Sequence, residues 1–397
     1  MFKRLAQPRR KGKTMNRRKF LGGLAAAASL PLATTIKGIS AQSPKPVHVP
    51  AQIKAFCLDF NWDQGKFAQP GHWADADPEE HIRWYESLGA NVVQTFAVSC
   101  NGYAWYKHGF VSAQPGLKHD FLPEMVNLGH KRGMLVTGYF CVGANSKWGN
   151  DHPDLCYPST SNYQIPLTDQ YLDYLGLSME DAITKTGMDG YMIDWVWNPA
   201  DELRKAGWLP AEKKLFEQLT GKQFPANGQP DAGDKLEYER KAVARCWQRI
   251  KASRDRANSN CVIWLSCYNF ADPTVTNSKM LQEVDWSMNE SPDPKLFQIA
   301  KSMAGPRTRM IQNVVGWSAH DALKFLANAD NRKLDMYGFA APRPSSLLPP
   351  IKDYLNKPTA CFKGTDQATV NDRNIAALAR FYRGMPPAEE GDATHCT

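Results

Sequence analysis

The stretch DGYMIDWVWNP, Asp189 to Pro199, decides how the rest of the chain is read. Tyr191, Met192 and Ile193 form a short apolar run, and an acid, Asp194, closes it. A run of that length and bulk reads as a buried strand of a parallel sheet. Placing a carboxylate among Trp195 and Trp197 is unfavourable by several kcal/mol unless the charge is paired. Asp194 therefore either meets a ligand at the strand end, or pairs with a barrel arginine, or caps the next helix.

Similar runs recur on both sides. Residues 53–60 (IKAFCLDF), 91–98, 134–142 (MLVTGYFCV), 261–270 (CVIWLSCYNF), 284–291 (VDWSMNES), 309–316 (RMIQNVVG) and 334–344 (LDMYGFAAPRP) all read as strands. Helical stretches separate them. Asp77-Pro78 opens the first and Gly89 stops it, a cap, a first-turn proline and a terminal glycine in order. The others fall at 117–133, 168–186, 210–221, 237–257, 318–329 and 372–384, with the shortest between the fifth and sixth strands. Strand–helix alternation repeated eight times predicts an α/β fold, a (β/α)8 TIM barrel, over residues 53–390. It forms a single catalytic domain with a helical insertion after the fourth strand. Two doubly wound sheets are the rival architecture, but no glycine-rich phosphate fingerprint follows the first strand.

The 397 residues are 43% hydrophobic and 22% charged, which suits a folded body. Residues 1–41 hold ten Lys or Arg and no acid, so removing them takes the formal charge from +8 to −2. The body has no basic excess of the kind nucleic acid selects. The leader pairs Arg17-Arg18 with Phe20-Leu21, then a mildly apolar Gly/Ala-rich segment and a small-residue exit near Ala41. It reads as a twin-arginine (Tat) signal, too short for a stable membrane span. A linker follows at 42–52. Export machinery is the partner the leader predicts, and a periplasmic or extracellular location follows. Nine cysteines lie beyond the leader with no CxxC, and the histidines show neither HxH nor HExxH, so no metal and no cofactor is expected.

A barrel of this type collects its chemistry at the carboxyl ends of the strands. Those ends carry Asp59, Asn61 and Trp62; Tyr103 and Trp105; Tyr139; Asp194, Trp195 and Trp197; Tyr268; Glu290; and Arg343. Aromatic faces stack on the C–H faces of sugar rings, and Asn, Asp and Arg bond hydroxyls. Two carboxyl groups can cleave a glycosidic bond, one as nucleophile or base and one as acid. Asp194 is the candidate nucleophile and Glu290 the candidate acid/base, with Asp272 a weaker contender. Asp59 either binds a hydroxyl or holds Asn61 and Arg343. Trp84, Trp247 and Trp264 read as core. Cys100 and Cys141 end neighbouring strands, as a disulfide or as two buried thiols.

Three segments carry a family resemblance: GANVVQTFAVSCNGYAWY (89–106), GLKHDFLPEMVNLGHKRGMLVTGYF (116–140) and GMDGYMIDWVW (187–197). They resemble the bacterial barrel glycoside hydrolases related to α-L-fucosidases. The resemblance implies a barrel fold and a nucleophilic Asp at the end of the fourth strand, here Asp194. The chain carries Ser99-Cys100-Asn101-Gly102 where that family carries His-His-Asp-Gly, and Asn61-Trp62 where it carries a histidine. The resulting expectation is an exported glycoside hydrolase acting on an oligo- or polysaccharide by a retaining mechanism. A non-catalytic carbohydrate-binding barrel and a metal-dependent barrel lyase or isomerase are the alternatives.

Overall fold

Eight of the apolar runs pair in parallel and close on themselves. The computed structural model describes residues 48–386 except 64, 160–162, 292–293, 317–320, 343 and 358–360. The leader and Arg343 lie outside the described residues. The barrel strands are β1 (Lys54–Leu58), β2 (Val92–Gln94), β3 (Leu135–Cys141), β4 (Gly190–Asp194), β5 (Val262–Cys267), β6 (Trp286–Asn289), β7 (Arg309–Val315) and β8 (Asp335–Ala340). Each strand pairs with its chain neighbour, and β8 closes on β1 with Lys54 beside Met336. One helix after each strand is taken in turn as α1 (Pro78–Leu88), α2 (Phe121–Lys131), α3 (Asp169–Thr186), α4 (Ala232–Asn258), α5 (Lys279–Glu283), α6 (Pro294–Met303), α7 (Ala322–Ala327) and α8 (Gln367–Tyr382), and the insertion after β4 adds a helix at Pro210–Thr220. Among the described residues no helix is long and apolar enough to cross a membrane.

The local signals act as their chemistry dictates. The Asp77 carboxylate accepts from the Glu79 amide at 2.8 Å and the Glu80 amide at 3.2 Å, capping α1. Gly89 ends α1 at φ 84°, where a side chain would be strained. Several boundaries differ from the sequence reading, two of them as follows. β2 stops at Gln94 rather than Val98; Val98 still bridges Phe140 of β3 in parallel, and it also forms an antiparallel bridge with Ala104. α4 begins at Ala232, five residues before the predicted 237, because Asp231 caps it by accepting from the Asp234 amide.

The insertion after β4 is held by a buried ion cluster. Arg204, 3% exposed at its side chain, contacts Glu212 at 2.6 Å and Glu239 at 2.7 Å. Tyr157 and Tyr238 donate to the same Glu212. A buried pair contributes little net stability, but removing one partner strands a charge, so this cluster pins the insertion in one arrangement. Trp84, Trp247 and Trp264 are all buried, as read from the sequence.

Candidate active site

The carboxyl end of β4 is built to keep Asp194 in place. Trp195, the next residue, adopts φ 55°, a left-handed conformation that a bulky residue reaches at a strain of order 1–3 kcal/mol. That turn lets Asp194 Oδ1 accept from the Trp195 amide at 2.8 Å. Oδ2 accepts from the Tyr139 hydroxyl at 2.9 Å, from the end of β3. Gly143 keeps the β3 loop close: a Cβ there would sit 2.5 Å from the Trp195 carbonyl oxygen.

Asp194 faces a cavity of about 370 Å3 at the barrel mouth. Asp59, Asn61, Trp62, Tyr139, Trp195, Trp197, Tyr268 and Glu290 also line it. Most of the residues read off the strand ends therefore converge. The Asn61 amide donates to Asp59 Oδ1 at 2.8 Å, and Asn61 Oδ1 accepts from the Cys100 amide at 2.8 Å, so this pair ties the β1 end to the β2 loop. Trp195 and Trp197 stack with ring centres 5.2 Å apart. Trp197 and Tyr268 remain exposed at the rim.

Two of the predicted aromatics are not there. The Val98–Ala104 bridge folds the β2 loop back, so Trp105 packs on Phe60 at 4.6 Å and donates its indole N–H to Ser99. Tyr103 lies outside the cavity, with the Lys147 ammonium over its ring at 5.9 Å. The Asp272 carboxylate is engaged by its own turn, accepting from the Thr274 amide and hydroxyl. Cys100 and Cys141 are free thiols, which resolves the choice left open by the sequence.

The electrostatics sort the three acids. Burial raises Glu290 to about 8, reinforced by the charges of Asp194 and Asp59. Burial raises Asp59 to about 7, opposed by the Asn61 amide and assisted by Asp194. Burial also raises Asp194, but Tyr139, the Trp195 amide and Ser266 hold it to about 6. Ser266, which lines the same cavity, favours the charged form of both Asp194 and Glu290. Two carboxyls whose environments push them apart are suited to opposite protonation states at neutral pH.

Sequence reasoning missed Ser266 and Asn313. Ser266 could have been found, since it alternates with Trp264 and Tyr268 along β5. Asn313 could not, because a bulge in β7 between Asn313 and Val315 turns it into the cavity short of the strand end. Asn313 is 2% exposed, and its Nδ2 has no partner. A stranded buried donor destabilises a fold by about 1–3 kcal/mol unless a ligand meets it. Asn313→Leu is therefore expected to melt at or above the wild-type temperature while kcat/KM falls about tenfold to a hundredfold. Loss of both stability and activity in thermal and kinetic assays would assign Asn313 to the framework instead.

Residues 77–195 match the model of a family described as hypothetical glycosyl hydrolase 6. That match runs from the cap of α1 through Asp194 and supports a glycosidase. The fold is similar to α-L-fucosidase isoenzyme 2 from Paenibacillus thiaminolyticus, with a TM-score of 0.58 and 15% identity. The aligned region covers 84% of this chain and 49% of that one, so the chain spans about half the fucosidase's length. It is also similar to the β-galactosidase of the psychrophilic Marinomonas ef1, with a TM-score of 0.52, 12% identity, and coverage of 84% and 61%. At these identities the likeness is one of fold, a glycoside-hydrolase-like (β/α)8 barrel. No curated protein matches the chain in sequence.

Proposed function

We propose that the chain is an exported glycoside hydrolase that cleaves an oligo- or polysaccharide by a two-carboxylate, retaining mechanism. The observation that carries this is the pairing of Asp194 and Glu290 in one cavity, in environments that favour opposite protonation states. Retention needs the two carboxyls about 5–5.5 Å apart, where inversion uses about 6.5–9.5 Å. Asp194 attacks the anomeric carbon while Glu290 gives its proton to the leaving oxygen. Glu290 then takes a proton from water, which displaces Asp194 and releases the sugar. Tyr139 and the Trp195 amide stabilise Asp194 as carboxylate and as leaving group. Asp59 and Asn313 are placed to bond substrate hydroxyls. The sugar is left open, since the fucosidase likeness is one of fold.

Export rests on the Arg17-Arg18 leader. Among the described residues seven cysteines are free thiols and Cys361 is disulfide-bonded, a bond that an oxidising compartment outside the cytoplasm permits.

The test is covalent trapping. The protein is incubated with dinitrophenyl 2-deoxy-2-fluoroglycosides of both anomeric series, then digested and sequenced by mass spectrometry. Asp194 is expected to displace dinitrophenolate and carry the fluorosugar. Hydrolysis of the matching ordinary glycoside with no label on Asp194, or with label on another residue, overturns the assignment. A protein inert to every glycoside in the panel overturns the hydrolase reading in favour of a binding barrel.

A further inference from the structure

A second cavity, of about 510 Å3, adjoins the first. Trp197 lines both. The second lies between the β4 loop, the first turns of α4 and the loop after β5. Asn198, Asp201, Lys235 and Asp272 line it together with Trp197. Its walls are pinned from behind by the Arg204–Glu239 and Arg204–Glu212 pairs.

Asn198 marks this groove as a site rather than a surface dent. It is 8% exposed, and its Nδ2 donates to the Glu239 carbonyl at 3.2 Å. Its Oδ1 is buried and has no partner. An acceptor left stranded in this way is unfavourable in the empty protein and is satisfied when a hydroxyl donates to it. One step away, the Trp197 indole is 37% exposed, backed by Trp195, and offers an aromatic face. An aromatic face beside a hydroxyl-seeking carbonyl fits a sugar ring. The charged groups of the groove are Asp201, Lys235, Glu239 and Asp272. Lys235 is paired to Asp201 and Glu239 to Arg204. With its one lysine neutralised, the groove offers an anionic sugar no free cation among the described residues that line it.

We propose that the protein binds a neutral oligosaccharide across both cavities, with one unit over Asp194 and the next lying on Trp197 and donating a hydroxyl to Asn198. The proposal rests on the glycosidase reading and deepens it: the substrate is a chain, not a lone terminal sugar on a small aglycone. A chain threaded past Trp197 gains contacts that a monoglycoside lacks.

The test compares each disaccharide with the tetrasaccharide of the same linkage, drawn from cello-, manno-, xylo- and galacto-oligosaccharides. In the wild type, kcat/KM for the cleaved tetrasaccharide is expected to exceed that for its disaccharide by about tenfold or more. Ala232→Trp adds bulk to the groove from an exposed position in the first turn of α4. In that variant, and in Asn198→Ala, the tetrasaccharide-to-disaccharide ratio is expected to fall about tenfold. Equal rates on both lengths in the wild type, or an unchanged ratio in Ala232→Trp, overturn the proposal. A separate arm titrates the same sugars into Asp194→Asn protein by calorimetry, which needs no turnover. Saturable tetrasaccharide binding lost on adding Ala232→Trp upholds the groove even if the wild type hydrolyses nothing. Absence of tetrasaccharide binding there, in a protein that does cleave monoglycosides, overturns the groove and leaves the hydrolase standing.

Discussion

Asp194→Asn is expected to lower kcat by about 10⁴-fold or more on any glycoside the wild type cleaves, because the nucleophile is lost outright. The amide keeps the carboxylate's shape; its oxygen can still accept from the Trp195 amide while its NH2 donates to the Tyr139 oxygen, so the fold and the empty cavity persist. It cannot attack the anomeric carbon. Sugar binding, read by calorimetry, is expected to survive. Retention of a tenth or more of wild-type activity by a well-folded variant would remove Asp194 from the nucleophile's role.

Glu290→Gln is expected to lower kcat by about 10² to 10⁴-fold. The loss should be smallest for dinitrophenyl leaving groups, which need no proton, and largest for natural linkages. Azide is expected to rescue Glu290→Ala and to yield a glycosyl azide of unchanged anomeric configuration, since azide needs no general base. The pH dependence follows from the same pair. The working form has Asp194 ionised and Glu290 protonated. Wild-type kcat/KM is expected to rise through about pH 6 and to fall through about pH 8. In Glu290→Gln the alkaline limb should vanish.

Stability runs the other way. Both acids hold protons more tightly in the folded state than in the unfolded chain, so their contribution is greatest in acid and is lost as pH rises through those same folded-state values. Glu290→Gln should therefore melt above the wild type near about pH 9, with the gap shrinking toward about pH 5. A pH-independent difference in melting temperature would show that Glu290 is not the group being desolvated.

The two acids of the opening stretch show what was legible. Asp189 and Asp194 bracket one strand. Asp189 lies at its amino end, bonded to His130 and the Val136 amide, a framework residue. Asp194 lies at the carboxyl end, where a barrel opens. Direction along a parallel strand is the difference between them. The same rule brought Asp59, Asn61, Trp62, Tyr139, Trp197, Tyr268 and Glu290 to one mouth. It failed for Trp105, whose loop doubles back on an antiparallel bridge, and for Asn313, whose strand bulges before its end.

The amino-acid sequence by itself determined the order of strands and helices, the caps and the closing of eight parallel units, because periodicity, capping chemistry and strand burial act within a few residues of one another. Only the tertiary structure decided which loop aromatics face the mouth, that Ser266 and Asn313 line it, and that Trp197 joins two cavities. Those depend on bulges, bridges and close backbone approaches between segments far apart in the chain, and no local pattern encodes them.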